Sequence, residues 1–259
     1  MGIPLSVVII TKNEETRLAR CLESVNGWAG EIIIIDDEST DNTRDIANCY
    51  ADKVLVRRMI NEGKHRNWAY SQAANNWVLS IDADEIPDQE LKNAIAETLK
   101  NPQYTHYSIP YKNYIGDYPL KSDVGKSIVK LFRKDKFRYE EVEVHPRIFS
   151  EGQCGRVEKG AMHHYSWRDF GDFLRKTDKQ TTLEAKKWFD IYKTDPKRAE
   201  AKMNLLNAMW RYNDRFWRTY ISKKAWKDGF IGFMISFFGG LYQIMSYAKY
   251  WEMKKSIKT

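Results

Sequence analysis

Four acidic residues crowd WVLSIDADEIPD, residues 77–88: Asp82, Asp84, Glu85 and Asp88. The stretch opens as an apolar strand and closes on carboxylates that, left unpaired, raise one another's pKa. A hard divalent cation removes that repulsion. Magnesium takes one or two protein carboxylates and completes its shell with water and substrate phosphates. Asp82 and Asp84, one residue apart at a strand end, can therefore face a shared metal–diphosphate site where the backbone turns. Acidic pairs also serve as helix-start acids, and in DEIPDQELKNAI either Asp84 or Asp88 can play that part.

The elements that must position these carboxylates are legible upstream. LSVVII (5–10) and EIIIIDD (31–37) are continuous β-branched runs of the kind buried on both faces of a sheet. KVLVRR (53–58) is a third strand and WVLSID the fourth. Between them, Leu18, Cys21, Leu22 and Val25 fall at helical spacing. Ser39 and Thr40 are candidate N-caps of a second helix, and 64–75 reads as a third, with Ala69 and Ala73 toward the sheet. This alternation predicts a parallel sheet with right-handed crossovers. Ligands of open α/β sheets bind beyond the carboxyl ends of the strands. TKNEE, DDEST and DADE all lie at such ends, so three polar loops converge on one rim.

Past residue 100 the pattern changes. Segments 104–115 and 127–144 read as antiparallel strands and hairpins. From about 168 onward, Lys, Arg and Trp alternate with apolar residues at helical spacing. The net charge of +7 is uneven: residues 1–100 hold 11 Lys and Arg against 17 Asp and Glu, and the remainder 31 against 18. A basic back half suits a membrane surface or a phosphorylated substrate. No zinc-finger spacing or aromatic RNA-binding signature accompanies it, so nucleic acid is not the expected partner. Cys21, Cys49 and Cys154 form no even framework and no CxxC pair, and MGIPLSVVIITKNEE lacks the features of a signal peptide. The expectation is a reducing, cytoplasmic setting.

In order and spacing, SVVIITKNEE, EIIIIDDESTDNT and WVLSIDADE resemble the family 2 glycosyltransferases. The lipopolysaccharide-core β-glycosyltransferase branch is the nearest in character, because a basic segment like GKHRNWA also precedes its DxD strand. The resemblance covers residues 5–100 and extends to HHYSW (163–167). It implies an α/β, Rossmann-like A-type nucleotide-sugar fold, here with a helical, basic C-terminal extension. The expected division is a catalytic domain over 1–167, with 1–100 binding the nucleotide sugar and 101–167 the acceptor, followed by 168–259.

By that resemblance Thr11, Asn13 and Glu14 line the first nucleotide loop, and Asp36 or Asp37 bonds the base or its ribose. Asp82 holds ribose or sugar hydroxyls, while Asp84 ligates a Mg²⁺ or Mn²⁺ bridging the phosphates of a UDP-sugar. His164, rather than His163, returns to that metal, imidazole being a reasonable partner for Mn²⁺. Lys64 and Arg66 are phosphate or sugar contacts, or else a solvated helix start. One departure stands out: Glu38 occupies a position where the family usually has Gly.

An inverting transferase needs a base beside the acceptor hydroxyl. FRYEEVEVHPRIF (137–149) is the dense candidate, and strand alternation would put Glu141 and Glu143 on one face with His145, and Glu140 on the other. Relatives often read His–Glu here, whereas Pro146 replaces that Glu, so Glu141 is the expected base and Glu143 the second choice. The activity implied is metal-dependent transfer of a hexose to a glycan or glycolipid acceptor of lipopolysaccharide core or another envelope glycan. A haloacid-dehalogenase-type phosphatase and a non-catalytic sugar-nucleotide binder are the alternatives. Finally, FIGFMISFFGGLYQIMSYA (230–248) carries no charge but is flanked by lysines on both sides and diluted by Gly and Gln. With Trp210, Trp217 and Trp226 among basic residues, it predicts helices on an anionic membrane surface, at the inner face of the cell membrane, rather than a span.

Overall fold

The computed structural model describes residues 2–123, 126–142 and 146–256. Its first half alternates as the apolar runs require: β1 (Ile3–Thr11), α1 (Leu18–Val25), β2 (Ala29–Asp36), α2 (Thr43–Asn48), β3 (Lys53–Val56), α3 (Glu62–Ser71) and β4 (Trp77–Asp82). Strands β3, β2, β1 and β4 lie side by side in that order and run parallel. Leu5, Val7, Ile9, Ile32, Ile34, Leu79 and Ile81 pack with α1 on one face. Val8, Ile33, Ile35 and Val78 meet Ala69 and Tyr70 of α3 on the other. Two-sided burial explains why these strands lack polar alternation.

Short β5 (Glu85–Pro87) and α4 (Gln89–Lys100) follow, then β6 (His106–Ile115), β7 (Tyr118–Pro119), β8 (Ser127–Arg133), β9 (Phe137–Tyr139), β10 (Ile148–Ser150), β11 (Cys154–Arg156) and β12 (Met162–Trp167). The sheet order continues from β4 through β8, β6 and β12 to β5, with β8 antiparallel to β4. Segment 127–144, read as strands and hairpins, holds β8 and β9, and β9 stops at Tyr139. Glu140 and Glu141 lie beyond it, so strand alternation does not set their faces; Glu143 and His145 fall outside the described residues. The 139–142 segment is instead bonded to the start of α3. Asn67 Nδ2 donates to Tyr139 O at 2.9 Å, Asn61 Nδ2 to Glu141 O at 3.2 Å, and Gly63 N to Val142 O at 3.2 Å.

The second helix also starts later than Ser39 and Thr40 suggest. Asp41 Oδ1 accepts from the Thr43 N–H at 3.0 Å at its first turn. Ser39 and Thr40 turn toward β1 instead, where Ser39 Oγ accepts from Asn13 N and Thr40 N donates to Asn13 Oδ1.

The chain divides into two compact units, residues 1–113 with 125–165, and residues 114–124 with 166–259. In the second, α5 (Phe170–Thr194), α6 (Pro196–Lys202), α7 (Leu205–Trp217) and α8 (Gly229–Lys255) account for most of the fold. Asp169, Asp195 and Asn204 cap α5, α6 and α7 through side-chain oxygens.

Asp88 ties α4 to the approach of β12. Its Oδ1 caps α4 at Leu91 N (2.8 Å) and its Oδ2 accepts from Ala161 N (3.0 Å). Gly160, at φ +75°, makes the intervening close approach; a Cβ there would sit 2.0 Å from Leu91 N. Gly160→Ala combines left-handed strain with a backbone clash and is expected to destabilise the protein by roughly 2 kcal/mol or more. Urea denaturation reads this directly; an unchanged midpoint would show that the turn relaxes freely.

Candidate active site

Three loops leave the carboxyl ends of β1, β2 and β4, and the first two are locked together. Thr11 pairs with Asp36 across the sheet. Asn13 and Glu38 both adopt the left-handed region, each at φ 54°. That conformation explains why Gly is usual at the Glu38 position, and it costs a non-glycine residue ~1–2 kcal/mol. Glu14 N donates to Thr43 Oγ1 at 2.8 Å, which draws the first loop onto the start of α2.

Asp37 is held by Met59 N at 2.7 Å and Lys12 Nζ at 3.0 Å; burial opposes its ionisation, but these two donors keep its carboxyl below the ordinary range. Asp36 is fully buried, and its Oδ1 accepts from Ser39 N. Seven buried side-chain polar atoms have no partner among the described residues. Five belong to Thr11, Asp36, Arg57 and His65. Thr11 and Asp36 end neighbouring strands, while Arg57 N bonds Asp36 O. Arg57 and His65 line, with Arg58, Ile60, Asn61 and Lys64, a cavity of about 390 Å³. Burial, reinforced by Arg57, lowers the His65 pKa, so its ring is neutral at pH 7. Orphaned donors and acceptors gathered at strand ends are the mark of a polar ligand site.

The β4 end is organised around Lys130, from β8. Its Nζ lies 2.9 Å from Asp82 Oδ2 and 3.0 Å from Glu85 Oε2, and its side chain is 12% exposed. Glu85, 2% exposed, also accepts from Asp82 N and from the Tyr111 hydroxyl at 2.7 Å. Burial pushes Glu85 up to about 7 despite Lys130. Burial also opposes ionisation of Asp82, yet Lys130 and Arg66 bring it down to about 2; its side chain is 42% exposed, so water screens part of that field. Arg66 is tied to Glu62 Oε1 at 3.0 Å and lies over the Tyr139 ring. Lys64 is exposed and 3.7 Å from the equally exposed Glu141.

Asp84 faces a guanidinium and an imidazole at once. Arg17 Nη1 meets its Oδ2 at 3.0 Å, while His164 Nε2 lies 3.6 Å from its Oδ1. The register of β12 on β5, with His164 opposite Glu85, is what brings the imidazole here. A one-residue slip would substitute His163, which instead sits 3.3 Å from the capping Asp88. His164 Nδ1 is 2.7 Å from Asn113 Oδ1; with its proton on Nδ1, the neutral ring turns its other nitrogen, Nε2, to the Asp84 side. That donor set, one carboxylate oxygen and one oriented imidazole, suits a divalent ion that takes its remaining ligands from a diphosphate. Among the described residues, no group of three His, Cys, Asp or Glu could hold a metal unaided.

The profile of the Glycosyl transferase family 2 domain matches residues 6–151. The chain belongs to that family. It is a glycosyltransferase, and the dehalogenase-type alternative falls away. The lipopolysaccharide core biosynthesis glycosyltransferase LpsC of Rhizobium meliloti is 27% identical over 96% of this chain and 93% of its own. A Rickettsia typhi glycosyltransferase, RT0209, is 28% identical over 96% and 87%. Among solved structures, S. aureus TarS 1–349 in complex with UDP-GlcNAc superposes with a TM-score of 0.52 at 15% identity, over 100% of this chain and 92% of that one. That likeness shows the A-type fold of the glycosyltransferase.

The sequence reading passed over Arg17, Lys130, Tyr111, Asn113, Arg57 and His65. Lys130 carried a signal: in SIVKLFRK it shares a strand face with Ile128 and Phe132, where a cation requires buried carboxylates. Arg17 carried a weaker one, three residues beyond Glu14 in the same rim loop. Lys130→Met removes the shared partner of Asp82 and Glu85 and is expected to cost roughly 3 kcal/mol, as when one member of a buried ion pair is deleted. Equilibrium denaturation at pH 7 measures this; a loss under about 1 kcal/mol would mean that the pair adds no more than a surface bridge.

Proposed function

We propose that this glycosyltransferase binds a UDP-sugar on the strand-end rim and passes its hexose, with inversion, to a saccharide acceptor of lipopolysaccharide core or a similar envelope glycan. The observation that carries the reading is the approach of His164 Nε2 to Asp84 Oδ1, with Nδ1 of the same ring held by Asn113. Thr11, Asn13, Glu14, Asp36 and Asp37 are assigned to the nucleoside, and the unpaired atoms of Thr11 and Asp36 support that role. Lys64 and Arg66 are assigned to phosphate or sugar oxygens, and Asp82 to ribose or sugar hydroxyls. TarS, whose fold is shared, is described with UDP-GlcNAc, which makes a uridine nucleotide the first donor to test. LpsC, similar along nearly its whole length, motivates the acceptor class.

Asp84 and His164 would hold a Mg²⁺ or Mn²⁺, which when bound neutralises charge on the departing diphosphate. The acceptor oxygen attacks the anomeric carbon as the bond to the nucleoside diphosphate breaks, and a carboxylate takes its proton. Glu141 is the proposed base, with Glu143 the second candidate. Lys64 Nζ lies 3.7 Å from Glu141 Oε2. Arg17 fixes the second oxygen of Asp84 and so restricts its orientation. The proposed location is cytoplasmic, with the protein held peripherally on the anionic inner face of the cell membrane.

Thermal shift with UDP and Mn²⁺ tests the donor site, because a ligand at 100 times its Kd stabilises by ~2.7 kcal/mol. Asp84→Asn should abolish the Mn²⁺-dependent part of that shift while the protein alone melts normally; an undiminished Mn²⁺ effect would remove Asp84 from the metal. For the base, Glu141→Gln should retain the donor shift and lose on the order of 10²-fold or more in transfer. Near-normal turnover there, with collapse in Glu143→Gln, would move the role two residues along.

A further inference from the structure

Helix α8 is patterned in reverse. Its buried stripe is Gly232, Ser236, Gly240, Gln243, Ser246 and Tyr250, at spacings of three and four. The buried serines need no tertiary partner, since Ser236 Oγ and Ser246 Oγ bond carbonyls of their own helix. Small residues here admit neighbouring backbone: a Cβ on Gly232 would lie 1.7 Å from Ala225 O, and one on Gly240 2.9 Å from Tyr212. The rest of its surface is apolar: Phe230 is 75% and Phe233 41% exposed, Phe233 and Phe237 also meet Phe216 and Tyr212 of α7, and Leu241, Ile244 and Met245 are partly exposed. A helix on a water-soluble surface turns its apolar stripe inward. Small residues at the packed seam and large apolar ones outside are the arrangement of a helix whose outer solvent is hydrocarbon.

The neighbouring segment has the matching composition. On α7, Leu206, Trp210 and Trp217 are each more than half exposed and share one helical face, and Trp226 is 51% exposed. Residues 205–227 carry six Lys and Arg and one Asp. Tryptophan beside lysine and arginine is the signature of a headgroup interface. On the same unit, Ile115, Phe170, Phe173, Phe230, Ile231 and Met234 line an apolar cavity of about 330 Å³. Water gains little in such a space, whereas an acyl chain fills it. The inner flank of α8 rules out a full crossing. Lys249 Nζ bonds Asp178 Oδ1 of α5 at 2.6 Å, and Lys254 pairs with Glu200 of α6, so a spanning α8 would carry charged helices into hydrocarbon. A second copy of the chain is disfavoured as the cover, because two such basic faces repel.

We propose that α8 lies in the plane of an anionic phospholipid leaflet, with Phe230 and the exposed edge of Phe233 among the acyl chains and its small-residue stripe against the protein. This deepens the location given above and rests on that part of the reading.

The test uses the full chain with vesicles of phosphatidylcholine alone or mixed with phosphatidylglycerol. Wild type should co-sediment with the mixed vesicles, and brominated acyl chains should quench its tryptophan fluorescence. Phe230→Glu with Phe233→Glu should weaken vesicle binding on the order of 10-fold or more while keeping the UDP thermal shift. Trp226→Glu, on a separate exposed residue, should weaken it in the same direction. Alkaline carbonate should strip the wild type from vesicles. Undiminished binding of the double variant, absence of quenching, or retention after carbonate would each overturn the proposal. So would a lipid-free dimer that the double variant dissociates, since a second copy would then cover the face. A missing UDP shift in the wild type would count against the donor site alone and leave the vesicle result readable.

Discussion

A strand that ends on clustered carboxylates can fold only if cations are built in before any substrate arrives. Lys130 meets that condition: one buried ammonium lies within 3.0 Å of both Asp82 and Glu85. Tyr111 and the Asp82 amide take up the remaining capacity of Glu85. Asp82 is thereby ionised and fixed at the edge of the cleft, while its buried neighbour is pushed toward neutrality. The same acidity raises the pKa of the buried Cys21 thiol, after burial itself, which leaves that cysteine an inert packing residue. Arg17 completes the arrangement at Asp84. Charge balance, rather than burial of apolar surface, is what sets the shape of this end of the sheet.

The donor side follows a different economy. There the backbone accepts strain at Asn13 and Glu38, and several buried polar atoms lack protein partners. Both features persist only because the surrounding sheet over-determines them: β1 and β2 are paired over most of their length, and residues 5–9 and 31–36 are buried. A stiff core thus supports two strained loops beside strand-end atoms that have no protein partner. Ser39, Thr40 and Asn13 bond one another across the two loops, so neither can shift alone.

The helical unit solves another problem with the same elementary rules. Side chains cap the starts of α5, α6 and α7, but its longest helix, α8, has no such cap and buries glycine and serine while exposing Phe230. A hydropathy count treats both sides of a helix alike. Only the contacts distinguish a lipid-facing surface from a core.

The order of elements, the parallel sheet and the three polar strand ends were legible in the sequence, because β-branched runs and helical spacing are local signals that survive without tertiary context. Three ordered motifs identified the family for the same reason. The strand alternation expected at Glu141 fails because β9 ends at Tyr139, where Asn67, Asn61 and Gly63 bond the carbonyls of Tyr139, Glu141 and Val142. Ser39 and Thr40 became loop locks instead of caps because Asn13 competes for them from 26 and 27 residues away. Lys130, Arg17 and Asn113 escaped notice because their value depends on carboxylates and an imidazole 48, 67 and 51 residues distant. Sequence by itself determined which chemical groups this chain owns and which elements carry them. Tertiary structure decided which charge neutralises which, since Coulomb and hydrogen-bond energies depend on separation in space, to which distance along the chain is blind.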